Sequence, residues 1–317
     1  MLVVRGGRSG AMKTVLLVVG DSPSTAYLQG RVRALAEVMQ AKLHIYRAFY
    51  DPLEEMDRYV GFDNFSLIKK MLLQEERERI EELVHSTVKT SVAHSARKSS
   101  GTVDKSIKCV VEWRKRPPEG ILAYAKHIEA DFIVVERTKH SRLGALVHTP
   151  DDWNLLRHAQ CPVLMLSPSE HAVRAVVAAV NILNDSESHF KLTARVLENA
   201  SALAEAFGVS LNVISVLPIS RIGMPTASRV ALGDHFLKTL EEKALKSLEK
   251  VLAELSINAD EHQVVEGVVE EELSSKAEEA GLIVIGSVAR EGLSGTLLGN
   301  TAERVLYRVQ SDVLVVN

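Results

Sequence analysis

The sequence has few cysteines, few aromatic residues and no long hydrophobic segment. Its two cysteines, Cys109 and Cys161, are too few for a disulfide framework and favour a reducing cytoplasm. The longest apolar run, around residues 176–180, has the length of a strand, whereas a membrane-spanning helix needs about 18 apolar residues. A disulfide-stabilised secreted domain is therefore excluded, and no membrane span is predicted.

An excess of one charge is also lacking, since 38 Lys and Arg face 41 Asp and Glu. The net charge of −3 gives no basis for direct nucleic-acid binding. One local basic run, Arg114, Lys115 and Arg116, is either a site for an anionic head group or a solvated loop, and we favour the loop. With 46% hydrophobic but only 5% aromatic residues, the chain is expected to build cores from Val, Leu, Ile and Ala.

Catalytic and metal motifs are missing as well. There is no nucleophile elbow, no paired His and carboxylate motif and no Walker sequence, so we predict a protein that is not an enzyme. Weak ATP hydrolysis is the only activity left open. His140, His148, His158 and Cys161 lack the spacing of a zinc site, so no metal is predicted.

The chain contains an internal repeat. Residues 132–135 precede the similar residues 282–285 by 150 positions, and residues 13–19 precede 174–180 by 161 positions. The first half therefore carries about 11 extra residues, which we assign to an exposed loop at 89–105 because its composition is small, polar and basic. We predict a loose extension at 1–11, a first domain at 12–168 and a second at 171–317, with translation starting at Met1 or Met12.

Strands and helices alternate in both repeats, which predicts parallel sheets covered by helices on both faces. The predicted strands are 15–19, 43–48, 107–111, 132–135, 163–166, 176–180, 211–216, 264–265, 282–285 and 313–316. Helices are predicted around 28–39, 65–84, 118–127, 236–255 and 269–280, with another that Gly208 ends. The fold class is α/β, with two tandem doubly wound domains.

A glycine-rich loop follows the buried apolar run 282–285. Gly286, Gly292, Gly295 and Gly299 lie between this strand and a helical pattern. Glycines in that position let backbone N–H groups approach an anion, and the helix N-terminus adds partial positive charge. The loop is therefore a candidate phosphate cradle.

This loop resembles the C-terminal signature of the universal stress protein family. In nucleotide-binding members, three glycines and a following Ser or Thr hold the ATP phosphates and ribose. Gly286 and Gly299 match the first and third glycines, whereas Ala289 replaces the second, Asn300 replaces the hydroxyl residue and Thr301 comes one place late. Two interpretations stay open: a loop kept for its turn, with Asn300 as helix cap, or retained binding of ATP.

The resemblance implies two further site residues. Asn181 stands where ATP-binding relatives carry an aspartate on the adenine side, and Gly267 stands at a backbone-contact glycine or is a simple turn residue. The candidate binding residues are Asn181, Gly267, Gly286, Ala289, Gly299, Asn300 and Thr301.

The first half has Glu136, Lys139, Thr149 and Pro150 at the matching loop positions, followed by two aspartates. Proline removes one N–H and the carboxylates repel an anion, so a self-capped helix without nucleotide is predicted there.

The stretches TPDDW at 149–153 and GNTAE at 299–303 resemble tandem universal stress proteins of the UspE type. That resemblance implies Rossmann-like, adenine nucleotide alpha hydrolase-like domains that form a pseudo-dimer through antiparallel terminal strands. A monomer then suffices, although a higher oligomer is possible. It also implies a regulatory role in stress resistance and survival, including after DNA damage, through an unknown protein partner. The ligand is a nucleotide in an ATP-sensing switch, or else lipid-like.

Overall fold

The computed structural model describes residues 13–20, 40–92, 107–137, 150–168, 171–184, 186–218, 234–287, 290–292, 295–297 and 299–317. The chain divides into two compact units, Met1–Glu136 and Arg137–Asn317. This division falls inside the first sequence repeat, so the described residues of 137–168 belong to the second unit. The predicted domain boundary between 168 and 171 concerns the sequence repeats and stays a prediction.

The first unit is a parallel sheet with strand order β3-β2-β1-β4. Its strands are β1 Thr14–Val18, β2 Lys42–Phe49, β3 Ile107–Trp113 and β4 Phe132–Glu136. Its described helices are α1 Leu53–Val60, α2 Phe65–Val92 and α3 Pro117–His127. A chain that alternates strands and helices is expected to fold in this way, because right-handed crossover connections join its strands into a parallel sheet.

The second unit contains a sheet with strand order β5-β12-β9-β6-β7-β8. Its strands are β5 Val163–Leu166, β6 Ala175–Ala179, β7 Ser210–Leu217, β8 Glu261–Glu266, β9 Gly281–Gly286 and β12 Asp312–Val316, and a separate hairpin consists of β10 Arg290–Gly292 and β11 Gly295–Leu297. Its described helices are α4 Pro150–His158, α5 Glu187–Phe207, α6 Asp234–Glu254, α7 Val269–Ala280 and α8 Asn300–Arg308.

The predicted α/β class is confirmed, and each predicted strand of these sheets is present within a few residues of its expected bounds. The apolar runs identify the strands because both faces of a parallel sheet are covered. Gly208 ends α5 with φ 64°, as predicted for a left-handed cap. The predicted helix at 28–39 lies outside the described residues.

Two helical features differ from the sequence prediction. Helix α2 continues to Val92, so the loop predicted from residue 89 is wrong for residues 89–92. Residues 84–92 contain no Gly or Pro, so nothing in them stops a helix that is already propagating. Helix α1 was not predicted; Gly61 ends it with φ 63°. The rest of the predicted loop, up to residue 105, lies outside the described residues.

Strands β5 and β12 pair antiparallel, as the resemblance to tandem proteins implied. Val313 pairs with Met165, and Leu314 pairs with Leu164. On its other edge β12 pairs parallel with β9, where Val313 lies opposite Ile283. All five side chains are at most 2% exposed. Both edges of β12 and the facing edge of β5 are therefore covered in a buried core, which removes a site of edge-to-edge aggregation.

A buried arginine fixes the end of helix α8. The guanidinium of Arg137, a residue only 1% exposed, donates to the carbonyl oxygens of Leu306 at 2.8 Å, Val309 at 2.7 Å and Ser311 at 3.2 Å. Burial lowers the pKa of Arg137 to about 10, although the charge of Asp312 opposes this shift. The side chain thus stays protonated at neutral pH and neutralises the negative end of the helix dipole.

Candidate functional site

The sequence-predicted binding residues lie at the carboxyl ends of the second unit's strands. Asn181 follows β6 and Gly286 ends the neighbouring strand β9, so the fold brings these two to one edge of the sheet. Gly267 follows β8, which lies two strands beyond β6. In open α/β sheets ligands bind in the crevice outside this edge.

Gly286 has a packing role that the sequence did not reveal. A Cβ added there would lie 2.9 Å from two side-chain carbons of Leu192 and 3.2 Å from Cγ2 of Val196, both on helix α5. Its φ is not in the left-handed region, so no turn requires the glycine. Close contact between strand β9 and α5 is sufficient to explain the residue at this position.

Ser287, which was not selected from the sequence, joins the two ends of the loop. Its side chain is buried, its N–H donates to Val316 O at 2.7 Å, and its Oγ accepts from the Gly299 N–H at 3.4 Å. The N-terminus of α8 is thereby held beside the end of β9. A small hydroxyl residue directly after a strand-ending glycine was the available signal in the sequence.

The two middle glycines of the loop lie in the β10–β11 hairpin, where Gly292 pairs with Gly295. They are therefore part of a two-stranded ladder, while the phosphate cradle predicted from the four glycines stays a prediction. Ala289 lies outside the described residues.

Helix α8 begins at Asn300, with Gly299 as its N-cap at φ −61° and ψ 133°. The prediction that Asn300 caps this helix is wrong, because Asn300 is already the first helical residue and no side chain caps the N-terminus. Asn300 and Thr301 are exposed. The first N–H groups of a helix have no intrahelical acceptor and can bind an anion, although the carboxylate of Glu303 in the first turn opposes this.

Asn181 is exposed and forms a local turn. Its Oδ1 accepts from the N–H of Leu183 at 3.1 Å, and the neighbouring N–H of Ile182 donates to Ser215 Oγ at 3.3 Å. The carboxamide nitrogen of Asn181 takes no part in this turn, so the side chain keeps a donor at the carboxyl edge of the sheet.

Gly267 lies where β8 passes into α7. Its N–H donates to Leu217 O at 3.0 Å, and an added Cβ would lie 2.7 Å from Glu272 Oε1 and 2.8 Å from its Cγ. The close approach of the Glu272 side chain leaves little room for a Cβ at this position, and both alternatives given for Gly267 from the sequence stay predictions.

The equivalent helix N-terminus of the first repeat differs in charge. Helix α4 begins at Pro150, and Asp151 and Asp152 occupy its first turn. Burial raises the pKa of the Asp151 carboxyl, and the charge of Asp152 raises it further. Glu136 ends β4 at the position of the first signature glycine. Lys139 and Thr149 lie outside the described residues.

The basic run of the first unit is held in ion pairs. Arg114 pairs with Glu112 at 3.0 Å, Lys115 pairs with Glu55, and Arg116 pairs with Glu119 at 3.2 Å. These exposed pairs agree with the solvated loop favoured from the sequence.

Trp113 packs in an aromatic cluster. Its ring contacts Phe49, Tyr50 and Phe65 edge to face, Lys69 Nζ lies 4.5 Å from the ring centroid, and its Nε1–H donates to Glu54 at 3.0 Å. These contacts occupy the ring in packing within the first unit.

The described ranges offer neither a membrane span nor a metal site. No helix in them is long and apolar enough to cross a membrane. They contain no group of three or more His, Cys, Asp or Glu residues arranged to hold a metal ion, while His140 and His148 lie outside them.

Comparison with known proteins decides the family. The model of the universal stress protein family matches the chain twice, at residues 12–167 and 174–317. The chain belongs to the universal stress protein family. The two matches confirm the tandem arrangement that the internal repeat predicted.

Relatives of similar length match most of the chain. It is 30% identical to universal stress protein E of Escherichia coli K12 over 96% of this chain and 93% of that protein. A universal stress protein E homolog of Haemophilus influenzae is 23% identical over 95% of this chain and 96% of the relative. Among solved structures, the chain is similar to a functionally unknown protein of Pseudomonas aeruginosa PAO1, with 26% identity and a TM-score of 0.65. The match covers 96% of this chain and 92% of that protein's chain.

Proposed function

We propose that this universal stress protein is a non-enzymatic, ligand-binding regulator of a stress response, with one adenine nucleotide site per chain, in the second repeat. The family membership supports a stress role, and the sequence similarity spans both repeats. Survival after DNA damage and regulation of a protein partner are part of the proposal and come from the resemblance to tandem members. The cytoplasmic location stays a prediction from the cysteine content.

The difference between the two helix N-termini carries the proposal. Helix α8 starts after Gly299 with the exposed residues Asn300 and Thr301. Its first turn contains no proline and one acidic residue, Glu303. Helix α4 starts with a proline and two aspartates. Proline supplies no N–H, and the paired carboxylates repel phosphate, so only the second repeat keeps the chemistry for an anionic ligand.

Three residues of the second repeat contact the nucleotide in the proposed site. The backbone N–H groups of Asn300 and Thr301 bind phosphate oxygens, the Thr301 hydroxyl donates a further hydrogen bond, and the carboxamide of Asn181 meets the base. Amide and hydroxyl groups of this kind do not ionise near neutral pH, so these residues supply no general acid or base. Binding without a reaction is what a sensor requires.

Restoring the family signature is expected to strengthen nucleotide binding. The double variant Ala289→Gly with Asn300→Ser removes a methyl group and returns a hydroxyl to the position that follows the third signature glycine. We expect a gain of about 1–3 kcal/mol, or one to two orders of magnitude in the dissociation constant for ATP, because hydrogen bonds to a charged group are restored. Isothermal titration calorimetry of the parent and the variant measures the difference.

The single variant Ala289→Gly is the control, since it tests the steric effect without the hydroxyl. Its effect on stability is expected to stay below about 1 kcal/mol. If the double variant binds ATP no more tightly than the parent, the obstacle is neither the methyl group nor the missing hydroxyl. It then lies at Asn181 or in a crevice shaped for another ligand, such as the lipid-like one left open by the sequence.

A further inference from the structure

Helices α1 and α2 of the first unit carry a cluster of exposed apolar side chains. Single exposed apolar residues are normal on a protein surface, whereas a cluster of them indicates a binding surface. Seven large apolar side chains are exposed in the part of the chain that the structure describes, and five of them lie between positions 56 and 71. These five, which form the outer apolar face, are Met56, Tyr59, Val60, Leu67 and Met71. Tyr59 is 90% exposed and the other four are 52–67% exposed.

The apolar side chains of α2 point away from the core of the unit. Leu67 and Met71 each stand nine positions before a buried residue, Glu76 and Ile80 respectively. Nine residues make about two and a half turns of a helix, so the two pairs lie on opposite sides of α2. The exposure of Leu67 and Met71 therefore follows from the way α2 packs on the sheet.

Helix α1 is held to the unit by its charged side chains. Glu54 accepts from the Trp113 Nε1–H at 3.0 Å and pairs with Lys69 at 3.4 Å, while Glu55 pairs with Lys115. None of the residues of α1 is buried. The Glu54–Lys69 pair also joins α1 to α2, so the exposed residues of both helices belong to one part of the surface.

This arrangement of α1 is the reverse of the usual one. A surface helix ordinarily packs its apolar side against the core and turns its charged side to the solvent. In α1 the residues Met56, Tyr59 and Val60, with the spacing of one helix face, are all exposed. Apolar side chains that are turned outward in this way are stabilised when another surface covers them.

The outer apolar face has the size that a dimer needs. At about 150–250 Å² for a large apolar side chain, the exposed fractions amount to roughly 600 Å², the upper end of what a typical monomer exposes in one patch. The polar residues around the face bring this close to the roughly 800 Å² that each partner contributes to a specific interface.

The charges around the face favour a second copy of the chain over a highly charged partner. Residues 53–75 contain five acidic and three basic side chains, and one of the acids, Glu55, pairs with Lys115 outside this range. The surface therefore has almost no net charge. A basic peptide needs an acidic surface and an anionic lipid surface needs a basic one. A nearly neutral apolar face is complementary to itself.

We propose that two copies of this chain associate through the outer apolar face as a two-fold symmetric dimer. Helices α1 and α2 of one copy pack on the same helices of the other, which removes Tyr59 and the four side chains around it from water. A two-fold contact of a face with itself is closed, so assembly stops at two copies. The contact lies in the first repeat and does not depend on nucleotide binding in the second.

Sedimentation velocity of the full chain tests this proposal over about 1–200 µM. An interface at the small end of the specific range is expected to have a dissociation constant on the order of 10 µM. The sedimentation coefficient is therefore expected to rise with concentration from the value of a monomer to that of a dimer. Tyr59→Lys and Leu67→Lys are each expected to raise the dissociation constant at least about tenfold, because each places two like charges in an apolar contact.

The matched controls are Tyr307→Lys and Leu183→Lys, the same substitutions at positions that are 53% and 48% exposed in the second unit. Both are expected to leave the dissociation constant unchanged. A monomer at every concentration, a dimer that persists in both face variants, or an equal loss in the controls would overturn the proposal. Growth beyond two copies would overturn the two-fold contact. Monomers that cosediment with phosphatidylcholine vesicles, and lose this in Tyr59→Lys, would assign the face to a lipid surface instead.

Discussion

Val313→Asp is expected to lower the free energy of unfolding of the second unit by about 4 kcal/mol or more. Val313 is 0% exposed and lies between Met165 of β5 and Ile283 of β9. A carboxylate at this position has no cation among those neighbours, so it must either be buried charged or take up a proton. Both are unfavourable, and the antiparallel pair that covers the terminal strand edges is weakened.

Urea unfolding followed by circular dichroism measures this change, and light scattering reports aggregation of the exposed edges. Val313→Ala is the matched control, because it removes side-chain volume without adding charge and is expected to cost about 1–3 kcal/mol. A loss below that of the alanine variant would show that the β5–β12 pair does not form a dry core.

Arg137→Ala is expected to be the second most damaging single change, at about 3–5 kcal/mol. The guanidinium is the donor for the carbonyl oxygens of Leu306, in the last turn of helix α8, and of Val309 and Ser311, which follow the helix, and all three residues are buried. Removing it leaves the carbonyls without this donor, and the cavity adds its own cost.

Arg137→Lys and Arg304→Ala make the measurement specific. Lysine keeps the charge but loses the planar fork that reaches several carbonyls, so an intermediate loss is expected. Arg304 carries an exposed side chain at 58% accessibility and its removal is expected to change stability by less than about 1 kcal/mol. If Arg137→Ala is no worse than Arg304→Ala in urea unfolding, the guanidinium does not anchor α8.

Arg137 also shows how the two repeats have diverged. Its N–H donates to Leu166 O at 2.9 Å, just as the N–H of Ser287, 150 residues later, donates to Val316 O at 2.7 Å. The backbone geometry is therefore shared, while one side chain anchors a helix end and the other meets the N-terminus of α8. The two repeats thus share the backbone hydrogen bond at this position, while the side chains of Arg137 and Ser287 have different roles.

The fold was largely predictable because its central strands, such as β5, β9 and β12, are buried on both faces. Runs such as 282–285 need no alternation in a parallel sheet, and the internal repeat supplied a second example of each element. Helix ends were less predictable. Residues 89–92 have the composition of a loop but continue α2, because nothing in them breaks a helix.

The candidate site was less predictable than the fold, because its key contacts are long-range. Gly286 faces Leu192, which is separated from it by most of the second repeat, and no local pattern reveals that contact. Asn300 was misplaced by a single position, which is enough to turn a helix cap into the first helical residue. Ser287 was missed because the sequence does not show that its hydroxyl lies beside the N–H of Gly299 in the folded chain.

The stoichiometry of ATP binding, measured by equilibrium dialysis of the full chain, tests the central claim most directly. One site per chain is predicted. Thr301→Asp is expected to abolish it, because a carboxylate in the first turn of α8 repels phosphate while it stabilises the helix. Asp151→Asn in the first repeat is expected to leave it unchanged. Two equal sites, or one site that survives Thr301→Asp, would contradict a single nucleotide site in the second repeat.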